Sequence, residues 1–204
     1  MLSQPILFVV WLLAILIALS VHECAHALTA FYLGDSTAKD QGRLTLNPLA
    51  HIDWWGLAML VLIGFGWGKP VPINPYNFKN LRRGEIITSL AGPLSNLLLV
   101  LIFGFLSKFL FPILPYGNLL ITFFVYLVQI NAILMIFNLI PIPPLDGSKV
   151  LFALLPPRYE NIRITLETKG PTILILILLL DNILNLGIFA FIFNNLIGLI
   201  YKLF

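Results

Sequence analysis

Three long runs of hydrophobic residues, separated by shorter polar segments, dominate the chain. They cover residues 6–33, 85–111 and 118–140. A helix needs about 20 apolar residues to cross the hydrocarbon core of a bilayer, and each run is at least that long. The pattern therefore predicts three membrane-spanning helices. The predicted fold class is an all-α multi-pass membrane protein built as a helical bundle.

The first two runs are joined by a segment with a mixed pattern. Residues 34–53 are polar and rich in turn-forming residues, but the stretch GRLTLN, residues 42–47, alternates polar and apolar positions as a strand does. Residues 54–66 are apolar but too few to span, which favours a re-entrant element. We therefore expect a small re-entrant β-hairpin or loop after the first span.

The end of the chain leaves two topologies open. Residues 171–204 are apolar but are interrupted by Asp181-Asn182 and by Asn194-Asn195. This segment forms either one long span or a short helical hairpin. Because the pattern contains no soluble segment or linker, residues 1–204 are interpreted as a single integral membrane domain, with a core over about 6–155 followed by the apolar segment 171–204.

Composition and charge agree with a membrane protein and indicate its orientation. Hydrophobic residues make up 59% of the chain and charged residues 10%. If residues 54–66 do not cross, the basic loops 34–53, 67–84 and 147–170 share one face, whereas the loop 111–118 on the other face has no charge. The positive-inside rule then predicts a cell-membrane protein with the basic face in the cytoplasm and the N-terminus outside. The basic residues form no aromatic-interleaved patch, so nucleic-acid binding is not expected.

An ionisable cluster interrupts the first hydrophobic run. It consists of His22, Glu23 and His26, in the sequence HECAH. On a helix, His22 and His26 lie one turn apart on one face, where two imidazoles suit one zinc ion. In this HExxH arrangement the glutamate is the general base of a zinc hydrolase. An ionisable side chain at the bilayer centre costs about 2.5–3.5 kcal/mol, so three together favour a functional site over packing.

The cluster lies toward the cytoplasmic end of its predicted helix. The rise from Ile6 to His22 is roughly 24 Å, in a hydrocarbon core about 30 Å thick. We therefore expect an active site near the cytoplasmic face, where water reaches it.

A catalytic zinc site usually has three protein ligands, so one more is required. Asp146 follows a proline-rich turn at the end of the third run and lies at the same face in this topology. Taken alone, Asp146 is better explained as the N-cap of a helix that starts at Gly147. Beside the HExxH motif, however, a carboxylate is the missing ligand type. His51 is the competing ligand, and the sequence does not fix its distance from His22.

Four segments together resemble the site-2 protease family of intramembrane zinc metalloproteases. They are HECAH (22–26), NPLAHID (47–53), AGPLSN (91–96) and NLIPIPPLDG (138–147). The resemblance covers about residues 6–155. It implies that His22, His26 and Asp146 hold Zn²⁺, that Glu23 is the catalytic base, and that Asn138 helps to hold the substrate strand.

The activity that the resemblance implies is regulated intramembrane proteolysis. The bonds hydrolysed lie within or near transmembrane segments, so the expected partners are a transmembrane protein or peptide substrate and the lipid bilayer. Many members have LDGG where this chain has Asp146-Gly147-Ser148, but the ligand and the first glycine are kept. The chain shows no PDZ or cystathionine-synthase-type domain, as expected of a minimal member.

Two alternatives accompany this interpretation. Asn96, in AGPLSN, is expected to bond to a neighbouring helix in preference to substrate. For the protein as a whole, the rival function is a membrane metal or proton transporter, or an inactive scaffold, whose histidines bind metal or protons without hydrolysis.

Overall fold

The computed structural model describes residues 4–115 and 117–204, with the backbone alone at Pro157. The helices in this part of the chain are α1 (Pro5–Tyr32), α2 (Thr37–Asp40), α3 (Trp54–Ile63), α4 (Leu81–Leu110), α5 (Leu119–Leu139), α6 (Asp146–Leu154), α7 (Glu160–Ile183) and α8 (Ile188–Tyr201).

The three predicted spans are confirmed as α1, α4 and α5, each long and apolar enough to cross a membrane. Each begins at a local initiation signal. Pro5 opens α1 at a position where a helix needs no N–H donor. The side chains of Asn80 and Asn118 cap α4 and α5 by accepting the backbone N–H groups of Arg83 and Leu120.

The centre of the bundle is α4, which packs against α1, α5 and α6. Small residues line the contacts: α1 buries four alanines and α4 buries Gly92. In lipid, such residues let helix backbones approach closely and so stabilise their association. This close approach brings the histidine-bearing face of α1 against α4.

The predicted β-hairpin at residues 42–47 is wrong. These residues form turns and bends, and the described part of the chain contains no strand, only an isolated bridge between Ile52 and Gly68. The polar backbone groups bond to side chains instead of to a partner strand. The Thr45 carbonyl accepts from His51 Nε2, and the Asn47 N–H donates to Thr45 Oγ1.

The next segment agrees with the prediction of an element that does not cross. Helix α3 has only 10 residues, about half the number that a span needs. It is capped by Asp53, whose carboxylate accepts the Gly56 N–H, and it ends at Gly64, where φ is +79°. A left-handed residue of this kind is a common helix stop.

The C-terminal segment is a bent pair of helices. Helix α7 begins at Glu160, ahead of the predicted start at residue 171. The prediction starts later because the first half of this helix is polar and contains no hydrophobic run. A bend of 88° separates α7 from α8. The Asp181 carboxylate closes the turn by accepting the Ile188 N–H at 2.8 Å.

Candidate metal centre

Two imidazoles from α1 point at each other inside the bundle. His22 and His26 are both 4% exposed, and their Nε2 atoms lie 3.0 Å apart. The one-turn spacing puts both rings on the face of α1 that packs against α4. A carboxylate from a distant part of the chain joins them.

That carboxylate belongs to Asp146, at the start of α6. Its Oδ2 lies 3.2 Å from His22 Nε2 and 3.0 Å from His26 Nε2. Leu145 occupies the cap position of α6, so Asp146 is not the N-cap that the sequence alone favoured. The next residue is Gly147, where a Cβ would overlap the Leu139 carbonyl. Glycine therefore permits the close contact between the end of α5 and the start of α6.

A chain of hydrogen bonds fixes the proton of His22. It starts at the Leu127 carbonyl, which can only accept, and which takes a bond from Asn131 Nδ2 at 2.8 Å. Asn131 Oδ1 then accepts from Asn96 Nδ2 at 2.7 Å, leaving Asn96 Oδ1 to face His22 Nδ1 at 2.6 Å. Since an amide oxygen is an acceptor, the His22 proton lies on Nδ1 and Nε2 keeps its lone pair.

A backbone group does the same for His26. Its Nδ1 lies 2.7 Å from the Thr88 carbonyl, which can only accept, so the proton of His26 is also on Nδ1. Bonds of this kind, from the outer ring nitrogen to a carbonyl, orient the histidine ligands of metal sites.

The three converging atoms are therefore all acceptors. Two imidazole lone pairs and a carboxylate oxygen face one another with no proton to share, an arrangement that a cation between them stabilises. Two histidines and a carboxylate are a ligand set of catalytic zinc, which keeps a fourth position open. The residues present thus fit a zinc ion.

Gly92 on α4 lies against both rings. A Cβ at this position would overlap the His22 and His26 imidazoles. The absence of a side chain therefore leaves room for the two rings between α1 and α4.

Glu23 is held by an extended segment that crosses the site, residues 68–74, called the strap below. Glu23 Oε2 accepts the Val71 N–H at 2.8 Å. Val71 is flanked by Pro70 and Pro72, which have no N–H, so its amide is the donor available at this point of the strap. The Glu23 carboxylate thereby has a fixed orientation beside the histidines.

The strap is anchored at both ends. At its start, the Lys69 N–H donates to the His51 carbonyl at 2.9 Å, and the Arg43 guanidinium donates to the Lys69 carbonyl at 2.8 Å. At its end, the Asn74 N–H donates to the buried carboxylate of Asp35 at 2.8 Å. These bonds tie the strap to the loop that follows α1.

The charge of Asp35 suits its role as an anchor. Burial by itself raises the pKa of Asp35, but hydrogen bonds from Thr37, Asn74 and Asn77 outweigh burial and leave the pKa below its ordinary value. Asp35 therefore remains a carboxylate at neutral pH, and the stabilisation it provides is lost only as the pH falls through this lowered pKa.

Two residues predicted from the sequence lie apart from the cluster. The Asn138 amide donates within its own helix, to the Leu134 carbonyl at 3.0 Å. His51 is fully buried and its Nε2 bonds to the Thr45 carbonyl at 2.8 Å. Among the described residues, the ligand atoms that lie within 4.8 Å of one another come from His22, His26 and Asp146, and His51 is not in that group.

Sequence reasoning missed three contributors: Asn131, the Thr88 carbonyl and the Val71 amide. Asn131 carries a signal, because a polar side chain within a span marks a functional or packing position. Thr88, Gly92 and Asn96 recur at every fourth residue and so share one face of α4. Backbone groups such as the Thr88 carbonyl and the Val71 amide have no corresponding pattern in the sequence.

The known proteins reported as similar to this chain are all provisionally named zinc metalloproteases. YwhC of Bacillus subtilis (strain 168), provisionally named a zinc metalloprotease, is 41% identical over 150 residues, which cover 71% of this chain and 68% of YwhC. Rip2 of Mycolicibacterium smegmatis, named in the same way, is 32% identical over 197 residues, which cover 94% of this chain and 74% of Rip2. No solved structure matches the chain.

A family model leads to the same group of proteins. The model described as "Peptidase family M50" matches residues 113–180, the part of the chain that contains α5, the proline-rich turn and Asp146. With the identity and coverage of its relatives, the chain belongs to peptidase family M50, the site-2 proteases, and is a multi-pass membrane metalloprotease of a zinc-dependent family.

Proposed function

We propose that the protein hydrolyses peptide bonds within or near transmembrane segments of other membrane proteins. The observation that carries this proposal is the meeting of His22 Nε2, His26 Nε2 and Asp146 Oδ2 within 3.0–3.2 Å of one another. They meet inside a bundle of helices long and apolar enough to span a membrane. A centre in this position acts on a substrate that arrives through the lipid.

Each residue has a defined role in the reaction. His22, His26 and Asp146 would hold zinc, which would supply a Lewis acid for the scissile carbonyl and the attacking water. Glu23 takes a proton from that water and passes it to the leaving amine. The Val71 N–H bonds to Oε2 of Glu23, which leaves Oε1 available to take the proton.

The substrate is the transmembrane segment of a protein or peptide. It enters laterally and unwinds at the site, because a helical peptide bond is shielded by its own hydrogen bonds. We assign Asn138, directly before the proline-rich turn, to hold the unwound strand. To do so, its amide must exchange the Leu134 carbonyl for a substrate group.

The active site belongs to the cytoplasmic side of the cell membrane in this proposal, with the N-terminus outside. Support comes from the basic residues of loops 34–53, 67–84 and 147–170, which in the proposed topology share the end of the bundle that carries α6. At this end the Arg82 guanidinium donates to the carbonyls of Ala153 and Leu154 and so ties the start of α4 to the end of α6. We treat residues 1–204 as one integral membrane domain.

The test compares Glu23→Gln with the wild type in proteoliposomes. Glutamine keeps the shape but removes the base, so cleavage of a reporter transmembrane peptide should fall at least about 100-fold. Zinc content, measured by mass spectrometry of the metal, should stay at the wild-type level. Glu167→Gln, the same change at an exposed position of α7, serves as the matched control and should cleave normally.

Two results would contradict the proposal. One is turnover by Glu23→Gln at the wild-type rate. The other is wild-type protein that contains stoichiometric zinc yet cleaves no membrane peptide, which would indicate a metal carrier or an inactive scaffold.

A further inference from the structure

A cavity of about 160 Å³ lies beside the metal centre. One wall contains His26, and another contains Lys149, whose Nζ lies 3.4 Å from Asp146 Oδ1. A third wall is formed by Val71, whose N–H bonds to Glu23. The cavity thus touches elements that hold two of the candidate ligands and the candidate base.

The size of the cavity and one side of its lining suit an apolar group with a polar end. A cavity of about 150 Å³ lined by aliphatic and aromatic side chains is large enough to bind benzene. Here the strap side is apolar and contributes Val71, Ile73, Pro75 and Phe78, whereas the other side is polar and contributes His26, Glu85, Thr88, Ser89 and Lys149. The cavity therefore has room for one side chain of the size of an aromatic ring, but not for a helix.

The opposite wall contains a hydroxyl with no partner. Thr88 is 2% exposed and lines the cavity, and its Oγ1 has no hydrogen-bond partner among the described residues. Three other hydroxyls in the spans, those of Ser20, Ser107 and Thr122, donate to a carbonyl four residues earlier. A buried hydroxyl that forgoes this bond is costly unless a ligand completes it.

We propose that this cavity binds the side chain of one of the two substrate residues that flank the scissile bond, and that tyrosine fits it best. The ring fills the apolar side, and the phenolic oxygen bonds to Thr88 Oγ1. This inference rests on the proposed function, because it assumes that a peptide carbonyl lies at the metal centre. It adds a preference for the residue beside the cleaved bond.

The experiment measures kcat/KM for reporter transmembrane peptides in proteoliposomes. At each of the two flanking positions in turn, the peptides carry Tyr, Phe, Leu, Ala or Lys, and mass spectrometry locates the cut. At one of the positions, we expect Tyr to exceed Phe about fivefold, as one added hydrogen bond allows, with Leu and Ala lower. Thr88→Val should bring the ratio of Tyr to Phe close to one.

Each variant supplies its own internal reference. The ratio of Tyr to Phe is taken within one variant, so a general loss of folding or zinc cancels. Thr88→Ser keeps the hydroxyl and should retain the preference. Thr122→Val makes the same change in α5, away from the cavity, and should leave the ratio as in the wild type.

The outcomes separate this inference from the proposed function. If no reporter is cleaved by the wild type, the proposed function fails. If reporters are cleaved but Ala or Lys is preferred, or if the ratio of Tyr to Phe is near one or is unchanged by Thr88→Val, the cavity does not bind such a side chain.

Discussion

Asn96 and Asn131 act on His22 from the side of the ring opposite to Nε2, the atom proposed to hold the metal. They connect the His22 ring, through two amides, to the Leu127 carbonyl on the backbone of α5. Both asparagines are fully buried, so neither has water as an alternative partner. Helix α5, which carries none of the candidate ligands, thus determines the tautomer of His22, a candidate ligand on α1.

We therefore expect Asn131→Leu to weaken zinc binding. Without Asn131 Oδ1, the Asn96 amide is free to rotate and His22 loses its fixed acceptor, so the zinc dissociation constant should rise about tenfold. Competition with a chelator of known affinity measures this constant. Asn195→Leu is the matched control, because Asn195 makes the same bond to the carbonyl four residues earlier on α8. Equal zinc affinities in the two variants would show that the hydrogen bonds through Asn96 and Asn131 have no influence on the site.

The sequence predicts the residues of the site unevenly. The pair His22 and His26 follows from helical spacing alone, since one turn determines their distance. Asn96 does bond to neighbouring helices, as expected, but one of its partners is His22, which spacing within α4 does not reveal. Asp146 depended on its combination with the HExxH motif, which lacks a third ligand, because by itself Asp146 has the features of a helix cap.

At the scale of elements, the strap is the segment that hydrogen-bonds to Glu23, the candidate base. It has no regular secondary structure, and its position is set by bonds to Arg43, His51 and Asp35 at its two ends. Val71 is buried and packs with Ala27 of α1 and Ala38 of α2. These anchors hold one amide against Glu23.

Val71→Pro removes that amide and leaves an extended backbone. We expect kcat to fall at least about tenfold while zinc content changes little, because Glu23 loses its orientation but the candidate ligands do not. Val71→Ala keeps the N–H and loses only side-chain packing, so it should retain most of kcat. Higher activity in Val71→Pro than in the wild type would instead mean that the strap obstructs the site.

Hydrophobic runs predict the helices of this chain better than its connections. The bounds of α1, α4 and α5 agree with the runs to within a few residues, because a span needs a continuous apolar surface. The GRLTLN stretch has an alternating pattern, yet its backbone bonds to Thr45 and His51 side chains instead of to a strand. The polar first half of α7 lacks a run and was therefore not predicted as helix.

For the molecule as a whole, the central feature is the meeting of two distant segments. His26 and Asp146 are 120 positions apart, and their ligand atoms lie 3.0 Å from each other. This contact requires α4, which packs against both α1 and α6, with Gly92 making room for the rings and Gly147 allowing α6 to approach α5. The three long spans are predictable from hydropathy, whereas this distance is a property of the packed bundle.

Zinc content of purified variants tests the central claim most directly. The wild type should bind stoichiometric zinc, and Asp146→Ala should lose it together with cleavage, because two histidines alone bind the ion weakly. His51→Gln, which keeps a donor for the Thr45 carbonyl, should bind zinc as the wild type does. Loss of zinc in His51→Gln with retention in Asp146→Ala would contradict this account of the site.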